Sequence, residues 1–210
     1  MAKEKFSIKE AYGYAWETFK QNWELFLVIS IVSLLLSSPQ NMFSNMGESA
    51  RTIISLLFTV LSIIVSIGAL KITLGIYDKA KPEIRDMFRY SRYFWRFLGA
   101  TILYGLLVAF GLLLLVVPGF IWAMKYSMTI NLIVDKDMRI SEAFQESARL
   151  TSGVRWQLFL FCLASLGVLI LGGIALGVGI IVAIPLTWIA SVYVYRHLLK
   201  SADKKEVEAS

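Results

Sequence analysis

The stretch Pro118 to Gly153 reads PGFIWAMKYSMTINLIVDKDMRISEAFQESARLTSG, and its interpretation decides the fold. It opens on Pro-Gly, runs through an apolar segment containing one lysine, Lys125, and turns charged at Asp135-Lys136. From Ile140 the apolar positions change spacing. Ile140, Ala143, Phe144, Ser147, Ala148 and Thr151 share one helical face, and Gly153 follows as a helix stop. The unit is therefore a short apolar span, a polar corner and an amphipathic helix. The next apolar run begins at Trp156.

The same unit is legible twice upstream. Ile8-Lys9-Glu10-Ala11-Tyr12, Ile84-Arg85-Asp86-Met87-Phe88 and Ile140-Ser141-Glu142-Ala143-Phe144 match in order, and each precedes a tryptophan at the head of a span: Trp23, Trp95 and Trp156. Asp78-Lys79 and Asp135-Lys136 close the first two hairpins alike. The expected fold is all-α and polytopic. Six transmembrane helices form three repeated hairpins, each preceded by an amphipathic interfacial helix. Residues 1–200 form one membrane domain with repeats near 7–78, 82–135 and 139–199, and 201–210 form a disordered cytosolic tail. The expected spans are 23–37, 51–77, 97–117, 120–134, 156–171 and a glycine-rich sixth ending at Tyr195, with Pro118-Gly119 as a tight turn and a further turn at Gly172-Gly173 and Gly177.

Composition supports a membrane protein. Of 210 residues, 57% are hydrophobic and the mean hydropathy is +0.66, above the apolar share of soluble domains. The net charge of +6 is a matter of topology. With the N-terminus inside, all of the 21 Lys and Arg residues except Arg51, Lys71 and Lys125 fall on inner segments. The expected location is a prokaryotic inner membrane, multi-pass, with both termini cytoplasmic. The basic inner face points to anionic lipids and accounts for the charge without nucleic acid. A membrane-protein partner or a homo-oligomer is also expected. MAKEK does not introduce a cleavable signal, because Glu10 and Glu17 follow with no short apolar region. One cysteine, Cys162, and one histidine, His197, supply neither a disulfide framework nor a histidine metal set, so no cofactor is expected.

Pro118-Gly119, Trp122, Tyr126, Asp135, Glu142-Ala143, Ser147, Leu150 and Gly153 carry a likeness to a known family. The chain resembles the membrane domain associated with some glycerophosphoryl diester phosphodiesterases, and the allied stand-alone prokaryotic membrane families of unknown function. The resemblance implies a multi-pass domain. It implies no activity, because the chemistry of those enzymes resides in a separate soluble barrel.

Lys125 is the sharpest site candidate. An unpaired intramembrane charge is functional by default, and Tyr126, Ser127, Thr129 and Asn131 make its span the most polar. Lys125, Tyr126 and Thr129 are read as a lipid or anion site, against the alternative that Lys125 snorkels to the headgroups. Lys71 is read as snorkelling. Pro118, Gly119, Asp135, Glu142, Ser147 and Gly153 form a candidate structural motif. Within it, Pro118-Gly119 is a turn or a broken helix end, and Asp135 and Glu142 are a cap and a surface acid or a carboxylate pair. Ser7 to Lys20 either lies flat among headgroups or packs on the protein's own helices. The expected function is that of a non-enzymatic integral membrane protein that interacts with lipid or scaffolds a partner. The alternative is a small transporter or channel for a lipid or organic anion.

Overall fold

The computed structural model describes residues 6–37, 47–80, 90, 92–114, 116–174 and 178–209. Among these the chain is helical, with no strand. The helices are α1 (Ile8–Gln21), α2 (Trp23–Ser37), α3 (Glu48–Tyr77), α4 (Phe94–Leu114), α5 (Val116–Lys125), α6 (Thr129–Lys136), α7 (Ile140–Leu150), α8 (Arg155–Ile174) and α9 (Val178–Ala209). The middle amphipathic helix expected at Ile84, Met87, Phe88 and Ser91 lies outside the described residues, as do Pro82 and the glycine turn at 177.

Among the described residues four helices are long and apolar enough to cross a membrane: α3, α4, α8 and, over Gly179–Lys204, α9. A fifth arises if α1 and α2, bent by 99° at Asn22, are taken as one broken span. At 1.5 Å per residue, α3 extends about 45 Å, beyond a ~30 Å hydrocarbon core. Outward-facing leucines such as Leu57, Leu106, Leu113 and Leu171 are exposed, which is consistent with a membrane protein.

The expected fourth span, 120–134, is not one helix. It is broken into α5 and α6, each too short to span, with Tyr126 to Met128 between them. The reason is burial. Thr129, Asn131, Leu132, Ile133 and Val134 are all buried, so most of α6 is covered by protein. Pro118-Gly119 is not the turn. Both residues lie inside α5, where Pro118 falls in the first turn and its missing N–H removes no intrahelical bond. Gly172-Gly173 is likewise helical, within α8.

The α4–α5 hairpin closes on glycine. A β-carbon on Gly111 would stand 2.8 Å from the Gly119 Cα, and Trp122 stacks over Phe110 beside it. One turn on, the Tyr104 hydroxyl donates to the Ala123 carbonyl at 3.1 Å.

Ser7 caps α1, its hydroxyl accepting from the Glu10 amide at 3.3 Å. The helix then turns Ala11, Ala15, Thr18 and Phe19 into the protein against α9, leaving Lys9, Glu10, Glu17 and Lys20 outside. Tyr14 packs between Tyr77 and Tyr193, and the Tyr12 hydroxyl donates to Ser165 at 2.8 Å. Of the two placements open for α1, this is packing on the protein's own helices. Trp23, Trp95 and Trp156 are exposed at span heads, whereas Trp122 is half-buried.

The tail expected to be disordered from 201 continues α9 to Ala209. Ser201 and Ala202 are buried, and Ala202 belongs to the main core. At Ser201 and Ala202 the lost conformational entropy is offset by burial against neighbouring helices.

Candidate functional site

Two features meet around α6: a stapled helix break and a buried ion-pair clamp.

The break at Tyr126 to Met128 leaves two backbone groups outside the helical ladder, and α7 satisfies both. The Ser147 hydroxyl donates to the Lys125 carbonyl at 3.0 Å and accepts from the Met128 amide at 3.2 Å. The Thr151 hydroxyl donates to the same carbonyl at 3.0 Å. A helix can break in an apolar setting only if such groups are paired. Ser147 lies in the last turn of α7 and Thr151, four residues on, is its C-cap, so one helix end delivers both. Replacing both by valine strands the carbonyl and the amide at about 1–3 kcal/mol each. Hydrogen exchange at 126–129 should then accelerate well before exchange in α9, and uniform protection across both would argue against the staple.

The clamp lies at the other end of α6. Arg196 of α9 grips Asp135 with both terminal nitrogens, Nη1 to Oδ2 at 2.8 Å and Nη2 to Oδ1 at 3.0 Å. Nη2 also pairs with the Asp78 carboxylate at the end of α3. The Tyr195 hydroxyl donates to Asp135 at 2.8 Å. Lys71 donates to the Asp135 backbone carbonyl at 3.4 Å and stands between the Tyr90 and Tyr93 rings, 5.9 and 5.8 Å from their centroids. Lys71 is therefore held within the protein rather than snorkelling. The Arg196 and Asp135 side chains are 16% and 12% exposed, and Asp78 is 50% exposed. The Arg196–Asp135 pair is thus the buried part of the clamp, with the bidentate geometry that suits guanidinium and carboxylate.

The candidate residues do not gather into one site. Lys125 ends α5, half-buried, its ammonium 5.0 Å from the Tyr126 ring centroid, where a cation also meets the helix C-terminus favourably. Tyr126 packs on Phe144 at 5.0 Å. Thr129 is fully buried and its hydroxyl has no partner among the described residues. Glu142 is a cap, accepting from the Arg139 amide at 3.2 Å. Asp135 is a clamp ligand, so the two acids are not a carboxylate pair. Gly153 takes φ +84°, the left-handed conformation that favours glycine beyond a helix end. Sequence reasoning missed Arg196 and Tyr195. The recurrence of Asp-Lys at two hairpin ends was the available signal, since both aspartates reach the same guanidinium.

Two cavities run beside α9. One, about 340 Å³, is lined by Ser33, Ser62, Ser66, Thr187 and Trp188 among others. The second, about 210 Å³, has Ser66, Thr73, Asn131, Trp188 and Ser191 in its wall. Three of the hydroxyls are bonded back to their own helices: Ser66 to the Ser62 carbonyl, Thr73 to Ala69 and Thr187 to Ile184. No charged side chain lines either cavity. Among the described residues no group of three His, Cys, Asp or Glu side chains is placed to hold a metal.

Neither the curated proteins nor the solved structures yield a match, and no comparison links the chain to the glycerophosphoryl diester phosphodiesterases. Residues 104–202, from the middle of α4 into α9 and so including the break, its staple and the Asp135–Arg196 pair, match the model of a family described as protein of unknown function (DUF975).

Proposed function

We propose that this chain is a non-catalytic integral membrane protein that engages anionic lipid at its cytoplasmic face and holds that face rigid. The observation that carries the reading is the way α1 and α7 are turned. Their small and apolar residues pack inward, while Lys9, Lys20, Arg139 and Arg149 stay at the surface next to helices with exposed apolar flanks. Contact with lipid is therefore electrostatic at the headgroups, not by insertion of these two helices. Phe144 is only 8% exposed, so a charge placed there tests packing rather than lipid contact. The convergence of Asp78 and Asp135 on Arg196 supports two of the three hairpins being equivalent repeats, and the distribution of cations supports cytoplasmic termini.

Thermal unfolding in nanodiscs tests the reading. Replacing part of the phosphatidylcholine by phosphatidylglycerol should raise Tm, because a ligand of the folded state stabilises it by mass action. High salt should cancel the rise. A Tm indifferent to the anionic lipid would overturn the proposal.

The transporter alternative draws on the two cavities beside α9. Their linings are uncharged, and Lys125 lies in neither, which leaves an anion without a counter-charge. Liposome flux of an organic anion, lost on Thr187→Trp in the folded protein, would be needed to prefer it.

A further inference from the structure

Helices α5 and α8 pass antiparallel. Phe120 meets Phe159 edge-on at 5.6 Å, while the end of α5 at Lys125 meets Thr151 just ahead of α8. Between them lies a groove of about 400 Å³ walled by Phe120, Ile121, Met124, Trp156 and Phe159, with Arg155 at one end. The groove wall is apolar throughout, and Trp156 is itself largely exposed.

Arg155, like Lys125, Lys136 and Arg139, is a cation of this region outside the ion pairs of the described residues. Lys20 pairs with Glu17, Arg96 with Asp137, Arg149 with Glu146, and Arg196 with both clamp aspartates. Arg155 forms no ion pair or hydrogen bond with the described residues, and its Nε is buried without a partner. It also stands in the first turn of α8, where no acidic residue offsets the partial positive charge of the helix end. A half-buried cation with an unpartnered Nε at the positive end of a helix is unfavourable on both counts. An anion beside it relieves both terms.

We propose that this groove is a binding site for one anionic phospholipid of the inner leaflet, with an acyl chain along Ile121 and Phe159 and the phosphate on Arg155. The site rests on the lipid reading above and gives it a location. An apolar chain gains little by leaving other lipid chains, so the groove supplies fit and the phosphate–guanidinium contact supplies selectivity. A free phosphate would use the arginine but leave the apolar wall unused.

Native mass spectrometry of protein released from nanodiscs of mixed phosphatidylglycerol and phosphatidylcholine tests the site. Wild type should retain one phosphatidylglycerol in preference to phosphatidylcholine. Arg155→Gln should lower its occupancy about tenfold, the scale of one charged hydrogen-bonded contact. Ile121→Trp, a lipid-facing change that fills the groove and keeps every charge, should do the same. Arg51→Gln, which removes an equal charge from an exposed site in the first turn of α3, away from the inner basic face, should leave retention unchanged. Retention in Arg155→Gln and Ile121→Trp equal to wild type would overturn the site while sparing the lipid reading. A wild type that retains neither lipid preferentially would overturn both.

Discussion

Replacing Asp135 by alanine is expected to destabilise the protein by roughly 3–5 kcal/mol, the cost of leaving a buried charge without its partner. Arg196 would keep its guanidinium in a largely enclosed position, with only half-exposed Asp78 to face it. The Tyr195 hydroxyl, buried with its residue, would lose its acceptor as well. Asp78→Ala should behave differently. That aspartate is half exposed, and exposed ion pairs contribute about 0–1 kcal/mol. Thermal unfolding in detergent or nanodiscs should therefore rank Asp135→Ala far below Asp78→Ala. The double change Asp135→Leu with Arg196→Met should recover much of the loss, because it removes the desolvation of both charges together. Equal losses for the two aspartates would show that burial does not govern the clamp.

Gly111→Leu is expected to open the α4–α5 hairpin. The new β-carbon would lie 2.8 Å from the Gly119 Cα and 3.1 Å from its amide nitrogen. Those are backbone atoms and cannot rotate away, so the helices must separate. Overpacking of this kind costs about 1–3 kcal/mol or more, and in lipid no hydrophobic force between helices compensates for lost contact. The loss spreads, because separation also draws Tyr104 from the Ala123 carbonyl and Trp122 from Phe110. Gly105→Leu on the same helix is the control. A β-carbon there meets nothing within 4 Å, so its effect should stay within about 0.5 kcal/mol. The pair separates close helix approach from a general intolerance of leucine in α4. A Tm drop of similar size for both would sink the explanation.

The helix ends show how far local chemistry reaches. Ser7 meets the Glu10 amide, and Gly153 takes a positive φ beyond α7, because caps and stops involve residues three or four apart. The facing of α1 and α7 follows from the 3.6-residue period in the same way. At Pro118-Gly119 the same local logic misled. A proline is as welcome in a first helical turn as in a corner, and only the contact between Gly119 and Gly111 distinguishes the two. Lys125 was legible as unusual, but its surroundings were not. Its carbonyl rather than its ammonium is gripped by Ser147 and Thr151, 22 and 26 residues further on.

The amino-acid order by itself determined that the described chain is helical, with several helices apolar enough to cross a membrane, since hydropathy and period are properties of adjacent residues. The tertiary structure alone decided that 120–134 breaks into two short helices, that the chain beyond 200 stays helical, and that Asp78 and Asp135 meet at Arg196. The physical reason is common to all three. Each depends on which groups are removed from lipid and water by distant parts of the chain, and that burial exists only once the helices have packed.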